Sequence, residues 1–246
     1  MEVSVKIKGG SASNIGSVRD VNQDAVCCRF FHQGKETAAL FAVCDGVGGL
    51  EHGEMASAFL VRCMEEWFEE LMSWLVISRT EPEVLFSHLK DAVECWNEEL
   101  CQFCVKQNIK TGSTLSLLFL VRHRYYIIHV GDSRVYRYRK EALEQLTVDD
   151  SVARLKTGRM KNYLDNYMGM REQLWFQALE GTAEKGDIFV ACSDGFYHHL
   201  TETDMSAVQR KHWKRNPDKF CDEMVRIMMD RGERDNISVC FALVEQ

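Results

Sequence analysis

Between residues 55 and 103 the apolar side chains keep a helical period, while on either side of that span they do not. Met55, Phe59, Cys63, Trp67, Leu71 and Leu75 recur every fourth residue, and Leu85, Leu89, Ala92, Trp96, Leu100 and Phe103 every third or fourth. That spacing gives each of two long helices one apolar face. Outside it the apolar runs are short and rich in β-branched and aromatic residues, over 3–7, 25–31 and 38–44 before the helices and 115–121, 125–130, 135–138, 174–178 and 187–192 after them. These predict strands. The tight joints His123-Arg124 and Gly131-Asp132 predict an antiparallel meander over 115–138. A second helical pair over 203–214 and 218–229 and a strand over 236–244 close the chain. Strands, a helical pair, strands and a helical pair define an α+β class, antiparallel sheets covered by antiparallel helices. The stretch 149–171 lacks a sustained apolar face and is expected to be a mobile excursion over a site.

No composition break or repeat marks a linker in the 246 residues, so one domain or a closely fused pair is expected. A net charge of -7 argues against a whole-surface attraction to nucleic acid or anionic lipid. The expected partners therefore include no nucleic acid and no membrane. No apolar run is long enough to span a bilayer, and Met1-Glu2-Val3-Ser4-Val5-Lys6 lacks the plan of a signal peptide. A cytoplasmic location is expected. The ten cysteines lie mostly within apolar runs, where a thiol behaves as a small hydrophobe in a reducing compartment. Cys101 and Cys104 have C-x-x-C spacing but no companion pair, and they read as helix packing.

The chemistry lies with four aspartates at the ends of apolar runs: Asp24 before Ala25-Val26, Asp45 after Val43-Cys44, Asp194 after Ala191-Cys192, and Asp235 before Asn236-Ile237. One such acid is as readily a turn former or a helix cap. Four brought into one cleft would repel, by about 4 kcal/mol for a pair 4 Å apart at an effective dielectric of 20. Divalent cations would relieve this, and oxygen donors without histidine or cysteine select Mg²⁺ or Mn²⁺. Arg19, five residues before Asp24, is the cation placed to fork onto the oxygens of an anion such as phosphate. The stretch 46–53 lacks the lysine and hydroxyl of a P-loop and the spacing of a dinucleotide fingerprint. It reads as a turn into a helix, open to close approach by a metal or phosphate. His198-His199 are adjacent and read as surface residues, and neither a Gly-x-Ser-x-Gly elbow nor a Cys-x5-Arg loop is present.

Six blocks follow one another along the chain: Arg19-x-x-Asn22-Gln23-Asp24, Asp45-Gly46-Val47-Gly48-Gly49, Thr111-Gly112-Ser113-Thr114, Gly131-Asp132-Ser133-Arg134-Val135-Tyr136, Cys192-Ser193-Asp194-Gly195 and Asp235-Asn236-Ile237-Ser238. Together they resemble the metal-dependent protein phosphatases, the PPM or type-2C serine/threonine phosphatases, in their compact bacterial form. The likeness runs from about residue 12 to 244. It implies a single domain over 1–246, a four-layer sandwich of two antiparallel β-sheets flanked by antiparallel helices, with two Mn²⁺ or Mg²⁺ ions at one end. Under that resemblance Asp45 matches the aspartate bridging both metals, the Gly46 carbonyl a ligand of one, and Asp194 and Asp235 ligands of the other. Asp24 matches the acid of the first block, and Arg19 the arginine that holds the substrate phosphate.

The implied reaction is hydrolysis of phosphoserine or phosphothreonine in proteins by single displacement, a metal-bridging hydroxide attacking phosphorus. The implied partners are a phosphorylated protein and an opposing serine/threonine kinase, and 149–171 corresponds to the family's flap. Three positions depart from the family. Gln23 replaces a frequent glutamate, Val47 stands where eukaryotic members carry a histidine, and Asn108-Ile109-Lys110 lacks the acid that brings some bacterial relatives a third metal. The alternative is a pseudophosphatase that binds a phosphoprotein or regulator without turnover, against which stand the intact Asp45, Asp194 and Asp235.

Overall fold

The computed structural model describes residues 5–47, 50, 52–78, 80–156, 159–210 and 215–245. Numbered in chain order, one sheet runs β1 (Lys6–Asn14), β12 (Ile237–Glu245), β11 (Ile188–Cys192), β6 (Arg134–Arg139) and β7 (Ala142–Gln145). The other runs β10 (Gln177–Thr182), β5 (Arg124–Val130), β4 (Leu115–Val121), β3 (Glu36–Asp45) and β2 (Asp24–Gln33). Every pairing in both is antiparallel.

Side-chain alternation explains the layering. From β3 and β4, Ala39, Phe41, Val43, Leu118 and Leu120 point towards Phe189, Ala191, Cys240 and Ala242 of the facing sheet. Their neighbours Leu40, Ala42, Leu117 and Phe119 point the other way, onto α1 (Gly53–Ser78) and α2 (Pro82–Gln107). With both faces covered, β4 is buried at every position. Leu60, Met64 and Phe68 of α1 and Leu85, Leu89, Val93 and Trp96 of α2 fill that outer layer; of the stripe expected on α1, Cys63 and Leu71 are buried in it, Phe59 and Trp67 only partly, and Met55 is exposed. On the opposite side, α4 (Glu202–Arg210) and α5 (Pro217–Asp230) bury Met205, Phe220, Met224 and Met228 against Val190, Val239 and Phe241. The result is the expected four layers. Pro82 and Pro217 stand in the first turns of α2 and α5, where no amide is lost to the helix ladder.

Several expectations are corrected. The meander stops after β5: Gly131, at φ 107°, turns the chain across to the other sheet, where β6 pairs with β11 and β7. The first strand, expected over 3–7, continues to Asn14 through Gly9-Gly10. Those glycines serve close approach, since a Cβ on Gly9 would lie 2.2 Å from the Phe241 carbonyl oxygen and one on Gly10 2.7 Å from the Asp218 amide. Residues 1–4 lie outside the described set. The excursion at 149–171 contains a regular hairpin, β8 (Ser151–Lys156) paired with β9 (Arg159–Leu164). The strand expected over 174–178 forms at Gln177–Thr182. Residues 211–214 of the helix expected over 203–214 are likewise outside the described set, and the short β7 and α3 (Asp194–Tyr197) carry no periodic signal.

Candidate active site

The strand ends on one rim of the sandwich gather the aspartates. Asp24 opens β2 and Asp45 closes β3, and the antiparallel register sets them directly opposite one another. Such pairs place their Cβ atoms about 5 Å apart, and like charges there are destabilising. Asp194 follows β11 at the start of α3, after Ser193 at its N-cap, and Asp235 precedes β12. The β11–β12 ladder brings these two ends side by side, and Ser193 is tied across it: its amide donates to the Ser238 carbonyl at 3.0 Å and its hydroxyl oxygen accepts the Ser238 amide at 2.9 Å.

The charges of the four act on one another. Burial, then the charges of Asp24, Asp194, Asp132 and Asp235, hold the Asp45 carboxyl well above its ordinary value. Burial and then Asp194 raise Asp24 to about 7. The hydroxyls of Ser193 and Ser238 oppose that rise, yet neither Asp24 oxygen has a donor in hydrogen-bonding geometry. Two buried, unbonded carboxylate oxygens need a cation or a proton. Asp194 is raised as well, by burial and Asp235, with His198 acting against it.

Asp235 differs. Arg19 forks onto it, Nε to Oδ1 at 2.7 Å and Nη2 to Oδ2 at 2.6 Å, and its carboxyl is lowered although burial alone would raise it. The two residues line a cleft of about 650 Å³, with Val18, Val21 and Arg234 also in its wall. The loop that carries Arg19 is held by Asn236, whose side-chain amide donates to the Ile15 carbonyl at 2.8 Å and whose Oδ1 accepts the Gln23 amide at 2.9 Å.

Asp45 is fixed through its backbone: its carbonyl accepts the Thr114 amide at 2.8 Å and the Ser113 hydroxyl at 3.0 Å. Thr111 and Gly112 belong to the same support, since the Thr111 hydroxyl donates to the His52 carbonyl and the Val47 amide to the Gly112 carbonyl. Gly46 must lack a side chain, because a Cβ there would meet the Gly53 backbone at 2.5 Å where α1 begins. Gly48 and Gly49 of the loop lie outside the described residues.

The donor set suits a hard dication: carboxylates, a glycine carbonyl within the same loop, and no histidine or thiol among the four acids. Among the described residues, however, no three histidine, cysteine, aspartate or glutamate side chains close into a ligand cage. The carboxylates repel, and Asp235 is engaged by Arg19.

Two residues of the site had no role in the sequence reading. Asp132, within the Gly131-Asp132-Ser133-Arg134 block, is raised to about 6 by burial, by Asp194 and by Asp149. Its place at the β5–β6 crossing was legible only once that joint was known to change sheets. His198, read as a surface residue, stands 3.5 Å from Glu233 and is felt by both Asp194 and Asp235. Cys101 and Cys104 sit in α2 as free thiols, Cys101 buried in the helix face.

The family model described as Protein phosphatase 2C matches residues 16–236. Over 221 residues the chain is 25% identical to the serine/threonine phosphatase stp of Listeria monocytogenes, covering 84% of this chain and 85% of that protein. Among solved structures it is similar to the serine/threonine phosphatase Stp1 from Staphylococcus aureus, with a TM-score of 0.82 at 21% identity over 100% of this chain and 98% of that one. It is also similar to the catalytic domain of the serine/threonine protein phosphatase PstP in complex with two manganese ions, with a TM-score of 0.76 at 23% identity over 98% of this chain and 100% of that one.

Proposed function

Because this chain belongs to the protein phosphatase 2C family, we propose that it hydrolyses phosphoserine and phosphothreonine esters of proteins with two manganese or magnesium ions. The observation that carries this reading is the convergence of Asp24, Asp45, Asp194 and Asp235, each strand end raising or feeling the charge of the others. Asp45 and the Gly46 carbonyl would hold one ion, and Asp45, Asp194 and Asp235 the other. The unbonded oxygens of Asp24 would complete the neutralisation of the first. When bound, the ions supply Lewis acidity towards the phosphoryl oxygens and lower the pKa of water to near neutrality.

The chain's own residues supply orientation. Arg19 presents a two-pronged guanidinium at the rim of the cleft, and its present partner, the Asp235 carboxylate, has the bidentate shape that a phosphate group also offers. A dication on Asp235 would release that fork for substrate. Thr114, Ser113 and Gln23 fix the backbone of 45–46, so the central carboxylate does not need to reorganise as charge develops. Val47 offers a leaving alkoxide no proton, so solvent or a water held in the site would supply it.

No helix among the described residues is long and apolar enough to cross a membrane. We place the enzyme in the cytoplasm, which its ten free cysteines fit, and opposite a serine/threonine kinase, which the reading as a protein phosphatase calls for. The test is hydrolysis of p-nitrophenyl phosphate and of a phosphothreonine peptide with Mn²⁺, with Mg²⁺ and after chelation. Metal-dependent turnover is expected on both substrates. Turnover that survives exhaustive chelation contradicts the reading, and phosphopeptide binding without turnover selects the pseudophosphatase instead.

A further inference from the structure

We infer that Arg134 is a positioning residue that fastens the root of the β8–β9 hairpin to the helical turn carrying Asp194, so that hairpin and carboxylate move as one unit. The inference rests on the proposed role of Asp194. Arg134 opens β6 opposite Cys192 of β11, two residues before Asp194. Its guanidinium uses every face. Nε and Nη2 fork onto Asp149 at 2.9 and 2.7 Å, Nη1 donates to the Tyr136 hydroxyl at 2.9 Å, and the guanidinium carbon stands 3.7 Å from the centre of the Tyr197 ring. Only a planar fork makes all three contacts at once, and a lysine ammonium can keep the charge but neither the fork nor the stacking.

Both ends of this clamp need it. Tyr197 ends α3, a helix of four residues that begins at Asp194. One turn has little stability of its own, so outside packing sets its position. At the other end, Asp149 adjoins Asp150, whose carboxylate accepts the Gly131 amide at 3.1 Å and the Asn166 side-chain amide at 3.0 Å. The Asp150 backbone also binds across the hairpin base, its carbonyl accepting the Asp165 amide at 2.9 Å. Asp149 and Asp150 lead into β8, and Asp165 and Asn166 leave β9. A pull on that root therefore reaches Tyr197 through a single side chain.

Two measurements on the full chain test the clamp. The first is amide hydrogen exchange over the β8–β9 hairpin, in Tyr197→Leu and Tyr197→Phe. Removing the ring is expected to speed exchange in the hairpin about threefold or more, while phenylalanine, which keeps the ring, restores the wild-type rate. The second is manganese titration by calorimetry in Arg134→Lys, where charge is conserved. Binding about threefold or more weaker is expected, through loss of Asp194 positioning. Wild-type exchange in Tyr197→Leu, or wild-type manganese affinity in Arg134→Lys, overturns the inference. Arg134→Lys serves should Tyr197→Leu fail to fold, as judged by circular dichroism. Hydrogen exchange needs neither metal nor turnover, so a wild type inactive in manganese defeats the functional reading and leaves the exchange result to stand by itself.

Discussion

Asp24 faces Asp45 across a strand pair, a register that costs stability unless something neutralises them. Burial and the charge of Asp194 raise Asp24 from an ordinary 3.8 to about 7, so its ionised form costs the folded chain stability that the unfolded chain does not lose. The sign follows from the raised value: its contribution is full below about pH 4 and is lost as pH rises through 7. In chelator, Asp24→Asn should therefore gain on the wild type as pH rises from 4 to 8, read by urea denaturation at each pH. Parallel curves would contradict the assignment. His129 acts oppositely, because burial lowers its pKa, and it destabilises only as pH falls below its ordinary 6.5, in both proteins alike. At Arg19 the expected effect is on substrate: Arg19→Ala should raise KM for a phosphopeptide about tenfold or more with manganese binding no weaker, because its removal also frees Asp235. An unchanged KM would separate Arg19 from phosphate recognition.

At the scale of elements, the helices and the central strands were readable because their burial is regular. The stripes Leu85, Leu89 and Trp96 and the unbroken run of β4 have one cause, full coverage by neighbours. What was illegible depended on contacts between elements distant in sequence. Gly9-Gly10 reads locally as a turn, yet it lies in a strand because the β12 backbone and the N-terminus of α5 come too close for side chains. Gly9→Ala should accordingly cost about 1–3 kcal/mol despite alanine's lower backbone entropy cost. A melting temperature at or above wild type would refute that close approach. The β5–β6 joint likewise reads as a hairpin, whereas Gly131 turns the chain into the other sheet, so local sequence does not bring Asp132 to the site. Arg19 and the acids were legible by type and by motif. The Arg19–Asp235 fork was not, because 216 residues separate the pair.

For the whole molecule, the two sheets end their strands on one rim, and that convergence turns a collection of ordinary turn acids into a buried site whose carboxyls Asp24, Asp45 and Asp194 are held above their ordinary values. The same geometry links folding to metal: a dication that binds only the folded chain stabilises it by mass action. Manganese at about a hundred times its dissociation constant should add about 2.7 kcal/mol, seen as a raised melting temperature that Asp45→Asn abolishes. Crystals grown in manganese, with data collected for its anomalous signal, would show whether these acids jointly hold two ions. Two peaks are predicted, both within ligand distance of Asp45, with Asp194 and Asp235 on one of them. A map without peaks at that rim, in a crystal where manganese marks other sites, would contradict the account.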